Sequence, residues 1–154
     1  MHRVSVYPLG GIVRKCNALG MQIIKEFEGL RLRAYQCPSK IWTIGYGHTH
    51  DVKPDDIISK KQADEFLEQD IKWAESAVEK SVTVPLTDNQ FSALVSLVFN
   101  IGTGNFRKSK VLEFLLSGHY MDAADSFMNH VYGAGKRLPG LERRRKQEAD
   151  LFML

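Results

Sequence analysis

Apolar positions along the chain change period several times, and each change marks an element. Met21, Ile24, Phe27 and Glu28 fall on neighbouring faces of a helix predicted over about 17–28. From 31 to 47 the pattern turns β-like. Ala34-Tyr35, Ile41-Trp42-Thr43-Ile44 and Tyr46 are strand formers broken by Pro38, Gly45 and Gly47, which predicts a hairpin or three-stranded sheet. Ala63, Phe66, Leu67, Ile71, Ala74, Ala77 and Val78 then repeat at helical spacing behind a capping box, Ser59 to Gln62. This predicts one long amphipathic helix over about 59–80. A second capping box, Thr87 to Gln90, opens a segment that is apolar nearly all round, from Phe91 to Ile101, and so belongs at the centre of a helical lobe. Gly102 is its expected stop. Three more helices are predicted near 109–117, 120–130 and 140–153, with Gly118 between the first two. Tyr132 to Gly135 and Pro139-Gly140 read as loosening the approach to the last.

The fold class expected is therefore α+β and mainly helical: a small lobe with a short sheet, a long connecting helix and a larger helical lobe. Boundaries fall at about 17–58, 59–80 and 81–154 within a single domain, after an N-terminal arm over 1–16. A cleft between lobes is a common place for a site.

Composition narrows this little. The chain has 154 residues, 44% hydrophobic and 25% charged, which is ordinary for a globular protein. Its net charge of +3 and pI near 8.9 suit an anionic polymer or surface without choosing among nucleic acid, lipid and cell wall. No run approaches the roughly 18 apolar residues of a membrane span, and no secretory signal is read at the N-terminus. Cys16 and Cys37 are too few for a disulfide scaffold. No metal-ligand spacing and no cofactor motif is read, so no metal and no cofactor is expected.

Glu28 ends an apolar helix face and is followed by Gly29. Apolar walls raise a carboxyl pKa and make a general acid; a solvated helix end makes nothing of it. Cys37 lies nine residues on and Thr43 six further, in the sheet-like stretch, so both side chains have access to the helix end. A glycosidase needs two groups flanking the scissile bond. Glu28 suits the acid, Thr43 can hold a water, and Cys37 accepts a proton only as a thiolate.

Glu28-Gly29-Leu30-Arg31-Leu32-Arg33-Ala34-Tyr35, followed by Trp42-Thr43-Ile44-Gly45-Tyr46-Gly47-His48-Thr49, resembles the phage-type lysozymes, glycoside hydrolase family 24. The likeness continues through Pro85-Leu86-Thr87, Asn89-Gln90-Phe91, Ala93-Leu94-Val95-Ser96, Phe99-Asn100-Ile101-Gly102, Leu138-Pro139-Gly140-Leu141 and Arg143-Arg144-Arg145. It covers about residues 20–152. The resemblance implies an endolysin that hydrolyses the β-1,4 bond between N-acetylmuramic acid and N-acetylglucosamine in peptidoglycan, causing host cell lysis. It implies Glu28, Cys37 and Thr43 as catalytic residues, Cys37 standing where the family has aspartate or cysteine. It further implies sugar contacts at Phe99 and Asn100, although a core Phe and a helix-capping Asn read as well. It also implies a structural pair of His48 with Asp70. Two positions depart from the family pattern: Lys40-Ile41 stands where a glycine-containing turn is common, and His130 where a tryptophan is expected.

The partner implied is peptidoglycan and not nucleic acid, and a monomer is expected. The protein would reside in the host bacterial cytoplasm and reach the wall after a separate membrane-opening protein releases it. The basic run Arg143 to Lys146 reads as a solvated helix face, with contact to an anionic membrane or wall surface as its functional alternative. Rival functions are a lytic transglycosylase on the same bond, a cationic membrane-disrupting protein and a wall binder without catalysis. A Cys16–Cys37 disulfide acting as a redox switch is weighed against Cys16 as a buried filler.

Overall fold

The computed structural model describes residues 14–154. Most of the arm expected over 1–16 lies outside the described residues. The rest divides into two compact units. One is Ile24–Lys72; the other comprises the described residues up to Ile23 together with Trp73–Leu154.

In the smaller unit, α1 (Ala18–Glu28) delivers its C-terminal turn, and Gly29 ends it at φ +73°. A hairpin follows, β1 (Arg31–Gln36) against β2 (Trp42–Gly45), antiparallel with Tyr35 opposite Thr43 and a bulge between Arg31 and Tyr35. Its tip is a tight turn in which Lys40 N–H donates to Cys37 O at 2.8 Å and Cys37 N–H to Ile41 O at 3.0 Å. Lys40 then sits at φ +62°. That is the left-handed position following a turn, where glycine is the usual residue. On the outer side of β1, Arg33 bridges to Ile57, giving part of a third strand. α2 (Lys60–Asp70) packs on β2, and Ile24, Ile44, Ala63 and Leu67 are buried in this unit. The capping box at Ser59 and Gln62 forms as predicted.

The single helix expected over 59–80 is two helices. α2 stops at Asp70 and α3 spans Lys72–Ser81. At Ile71 ψ tightens to −6° and its N–H is shared between Leu67 O and Gln69 O. The apolar stripe runs unbroken through the junction, so periodicity alone gave no sign of it. The two halves serve different cores, since the boundary between the units falls after Lys72.

In the larger unit, α4 (Asp88–Ile101) is the centre. Every residue from Phe91 to Val98 is buried, and α4 packs chiefly on α8 (Pro139–Met153). Its capping box, Thr87 with Gln90, is present, and Gly102 stops it at φ +86°. Around it lie α5 (Thr103–Arg107), α6 (Lys110–Leu116) and α7 (Tyr120–Ser126), the last continued by a 3₁₀ turn over Phe127–Asn129. The expectation of a loose approach to the last helix is corrected. Tyr132–Gly133 (β3) pairs with Lys136–Arg137 (β4) across a two-residue turn with positive φ at both Ala134 and Gly135. That is the backbone geometry of the favoured hairpin turn. Pro139 opens α8 at its first position, where its missing N–H costs nothing.

The basic run on α8 is also corrected. Arg143 and Lys146 are exposed, but Arg144 and Arg145 are buried, and Glu148 between them has no exposed surface. Arg145 and Glu148 lie three residues apart and Arg144 and Glu148 four, the separations at which helix side chains meet. The run is half solvated face and half buried ion cluster.

Candidate active site

Glu28 is the last residue of α1 and is half-buried. Its carboxyl lies against the turn after β2: a Cβ placed on Gly47 would stand 3.8 Å from Glu28 Oε2. Gly47 holds φ +89°, a left-handed conformation that strains any residue with a side chain.

Cys37 opens the hairpin turn and Thr43 lies buried on β2. The Thr43 hydroxyl donates to Ile41 O at 3.0 Å. The Cys37 thiol is held below the usual cysteine range. A backbone hydrogen bond from Ile41 contributes most, and hydrogen bonds from Ser39 and Thr43 add to it. The fold thus brings Cys37 and Thr43 together, with Glu28 in the same unit. A cysteine sulfur with a lowered pKa beside a hydroxyl whose proton goes to Ile41 O sets two polar atoms side by side, an arrangement that can hold a water.

His48 and Asp70 meet at 2.8 Å between Nδ1 and Oδ2. The His48 ring stacks on Phe66, centroids 4.1 Å apart, and its backbone pairs both ways with Ile44. The imidazole is thus occupied on its face and at one nitrogen.

Phe99 and Asn100 belong to the larger unit. Phe99 is half-buried and stacks on Trp73, centroids 5.8 Å apart. Asn100 is exposed, and its Oδ1 accepts a hydrogen bond from Arg145 Nη2. Trp73 and the Arg145–Glu148 pair were not anticipated. One signal was available for Trp73: it falls off the stripe of Ile71, Ala74 and Val78. Nothing in the sequence marks which arginines of α8 turn inward.

Cys16 belongs to the larger unit. Its Sγ packs against Gly20 and Ser92, and burial pushes its thiol up to about 12. Both cysteines are free thiols. Among the described residues no group of three or more His, Cys, Asp or Glu side chains gathers as a metal site, and no helix is long and apolar enough to cross a membrane.

A helix-terminal glutamate facing a small hairpin, together with a unit built around one buried helix, defines the lysozyme class of glycoside hydrolases. The phage lysozyme family model matches residues 25–148. The endolysin of Acyrthosiphon pisum secondary endosymbiont phage 1 is 45% identical over 137 residues, covering 86% of this chain and 94% of that protein. The muramidase domain of SpmX from Asticaccaulis excentricus superposes with a TM-score of 0.85 at 39% identity, covering 92% of this chain and 99% of that one. A P22 lysozyme structure gives 0.84 at 36% identity, with 91% and 99% covered. The chain belongs to the phage lysozyme family. It is an endolysin-type muramidase that degrades peptidoglycan.

Proposed function

We propose that the enzyme hydrolyses the β-1,4 bond between N-acetylmuramic acid and N-acetylglucosamine, with Glu28 as general acid and Cys37 with Thr43 orienting the attacking water. The observation that carries this reading is the approach of the Glu28 carboxylate to Gly47, on the turn that directly follows the Thr43 strand. Glu28 protonates the glycosidic oxygen as the bond breaks. The water held by Thr43 and Cys37 adds to the sugar carbon and loses its proton to Cys37, which takes it in its thiolate form, leaving a reducing muramic end. Phe99 and Asn100 contact sugar. His48 and Asp70 are a structural pair that ties the turn after β2 to α2.

A positioned acid is worth about a hundred- to ten-thousand-fold in rate. Glu28→Gln should therefore keep its fold by circular dichroism and lose at least about a hundredfold in wall clearing. A folded variant that clears walls at near the parent rate would refute the assignment. Lytic transglycosis is the second reading, favoured by one observation: Cys37 puts no carboxylate opposite Glu28. Mass spectrometry of released fragments separates the two, since a transglycosylase leaves an internal anhydro ring. A purely cationic membrane disruptor is less well supported, because two of the four charges on the basic run are consumed internally by Glu148.

The chain works as one lysozyme-like domain and as a monomer. It reaches the wall from the cytoplasm through a separate membrane-opening protein. Expression in a bacterial cytoplasm should be tolerated until the inner membrane is permeabilised; lysis on expression alone would refute this route.

A further inference from the structure

Trp73 is 45% exposed, at the second position of α3, with its ring stacked on Phe99 at the end of α4. An indole this open on a large helical unit leaves a broad aromatic face uncovered, where tryptophan is usually well buried. The next residue after Phe99 is Asn100, and its amide is not free to turn. Arg145 Nη2 donates to Asn100 Oδ1, while the same guanidinium donates through Nη1 to Glu148 Oε1 and through Nε to His130 O at 2.8 Å. Arg145 and Glu148 have no exposed surface. A guanidinium only donates, so the amide oxygen must face it and the NH2 group must point away. Asn100 is not needed to cap α4 either, because Asn105 Nδ2 donates to Ile101 O at 2.8 Å in that place. The buried ion pair therefore ends at the surface in an exposed amide of set orientation, beside an exposed aromatic pair.

We propose that Trp73, Phe99 and Asn100 form a saccharide-binding ledge. One pyranose of the glycan strand stacks its C–H face on Trp73, and an oxygen acceptor of the same strand, an acetamido carbonyl or a hydroxyl, takes a hydrogen bond from the Asn100 NH2. An aromatic ring offers a sugar an electron-rich face for its C–H groups. A fixed amide donor adds direction that a lipid tail has no use for, which selects a glycan as the occupant. Arg145 is a positioning residue: it sets which face of the amide the sugar meets. This rests on the reading of the substrate as peptidoglycan and names Trp73 as a binding residue for it.

The chain has two tryptophans, Trp42 and Trp73, so Trp42→Phe leaves Trp73 as the single reporter. In a Trp42→Phe/Glu28→Gln protein, titration with soluble N-acetylglucosamine hexamer should shift Trp73 emission to the blue and saturate. Trp73→Ala should raise the calorimetric Kd for the hexamer, and KM on purified walls in the active enzyme, by about tenfold, with kcat within a few-fold; Trp73→Tyr should restore most of it. Asn100→Asp still accepts from Arg145 but cannot donate outward. It should weaken hexamer binding by about tenfold without lowering Tm. Unchanged Trp73 emission while calorimetry reports saturable binding would overturn the ledge, as would Asn100→Asp binding as tightly as the parent. Failure of the underlying reading looks different: the parent enzyme would release no muramic fragments from walls at all.

Discussion

Replacing Glu148 by glutamine keeps the volume of a fully buried side chain and removes its charge. In the native protein that carboxylate accepts from Ser96 Oγ at 2.5 Å, from Arg144 Nε at 3.2 Å and from Arg145 Nη1. Both arginines are themselves buried. The substitution therefore removes the buried carboxylate that both guanidiniums share. Breaking one side of a buried pair costs about 3–5 kcal/mol. Acceptors that remain, among them Ser96 O for Arg144 and His130 O and Asn100 Oδ1 for Arg145, keep the loss from exceeding that range. For a chain of this size each kcal/mol is worth about 2–4 °C, so Tm should fall by about 6–20 °C. Urea titration should show a lower midpoint with an unchanged slope, since the surface exposed on unfolding is the same. A second variant isolates the cause. Arg144→Met, Arg145→Leu and Glu148→Leu together remove all three charges, and apolar replacement of such a cluster is often neutral or stabilising. A Glu148→Gln loss below about 1 kcal/mol would refute the argument from the lost buried carboxylate. A triple variant as unstable as the single one would assign the loss to packing instead.

Four further outcomes are expected. Lys40→Gly should stabilise the protein by about 1 kcal/mol, because the left-handed conformation at φ +62° costs a side-chain-bearing residue that much; a lower Tm would contradict the turn geometry. His130 is held below the usual histidine range, first by burial and then by the charge of Arg145, and its Nε2 is buried without a partner. The unfolded chain thus takes the proton first, so stability is at its full value above about pH 6.5 and declines as pH falls toward the lower folded value. His130→Phe should flatten that slope in denaturation series between pH 7 and 5, and an unaltered slope would exclude His130 as its source. Iodoacetamide on the folded protein at neutral pH should label Cys37 and spare Cys16, read by peptide mass spectrometry; equal labelling would be inconsistent with the lowered and raised thiols. Asp70→Asn should cost about 1–3 kcal/mol of stability and spare most turnover in the cold, whereas a collapse of turnover at unchanged Tm would move His48 into the mechanism.

Features set by neighbours in the chain were legible from residue order alone. A capping box closes over three residues, so Ser59 with Gln62 and Thr87 with Gln90 were legible as helix starts, and Gly102 as a stop. The β-formers from Ala34 to Ile44 gave the hairpin. The candidate residues Glu28, Cys37 and Thr43 lie within one helix end and one hairpin, so their spacing survives folding almost unchanged. Other features depend on contacts between distant parts of the chain. The apolar stripe through Ile71 is continuous, and only the packing of its two halves into different cores divides the helix. The hairpin at Tyr132–Arg137 was hidden because Ala134 takes a positive φ that its side chain disfavours. Most of all, the inward turn of Arg144 and Arg145 depends on Ser96 and Asn100, some 45 residues earlier in the chain. A run of four cations has the same composition whether water or a buried carboxylate receives it. Only the packing of α8 on α4 chooses, because it buries Glu148 with its two arginines and supplies Ser96 and Asn100 as further partners.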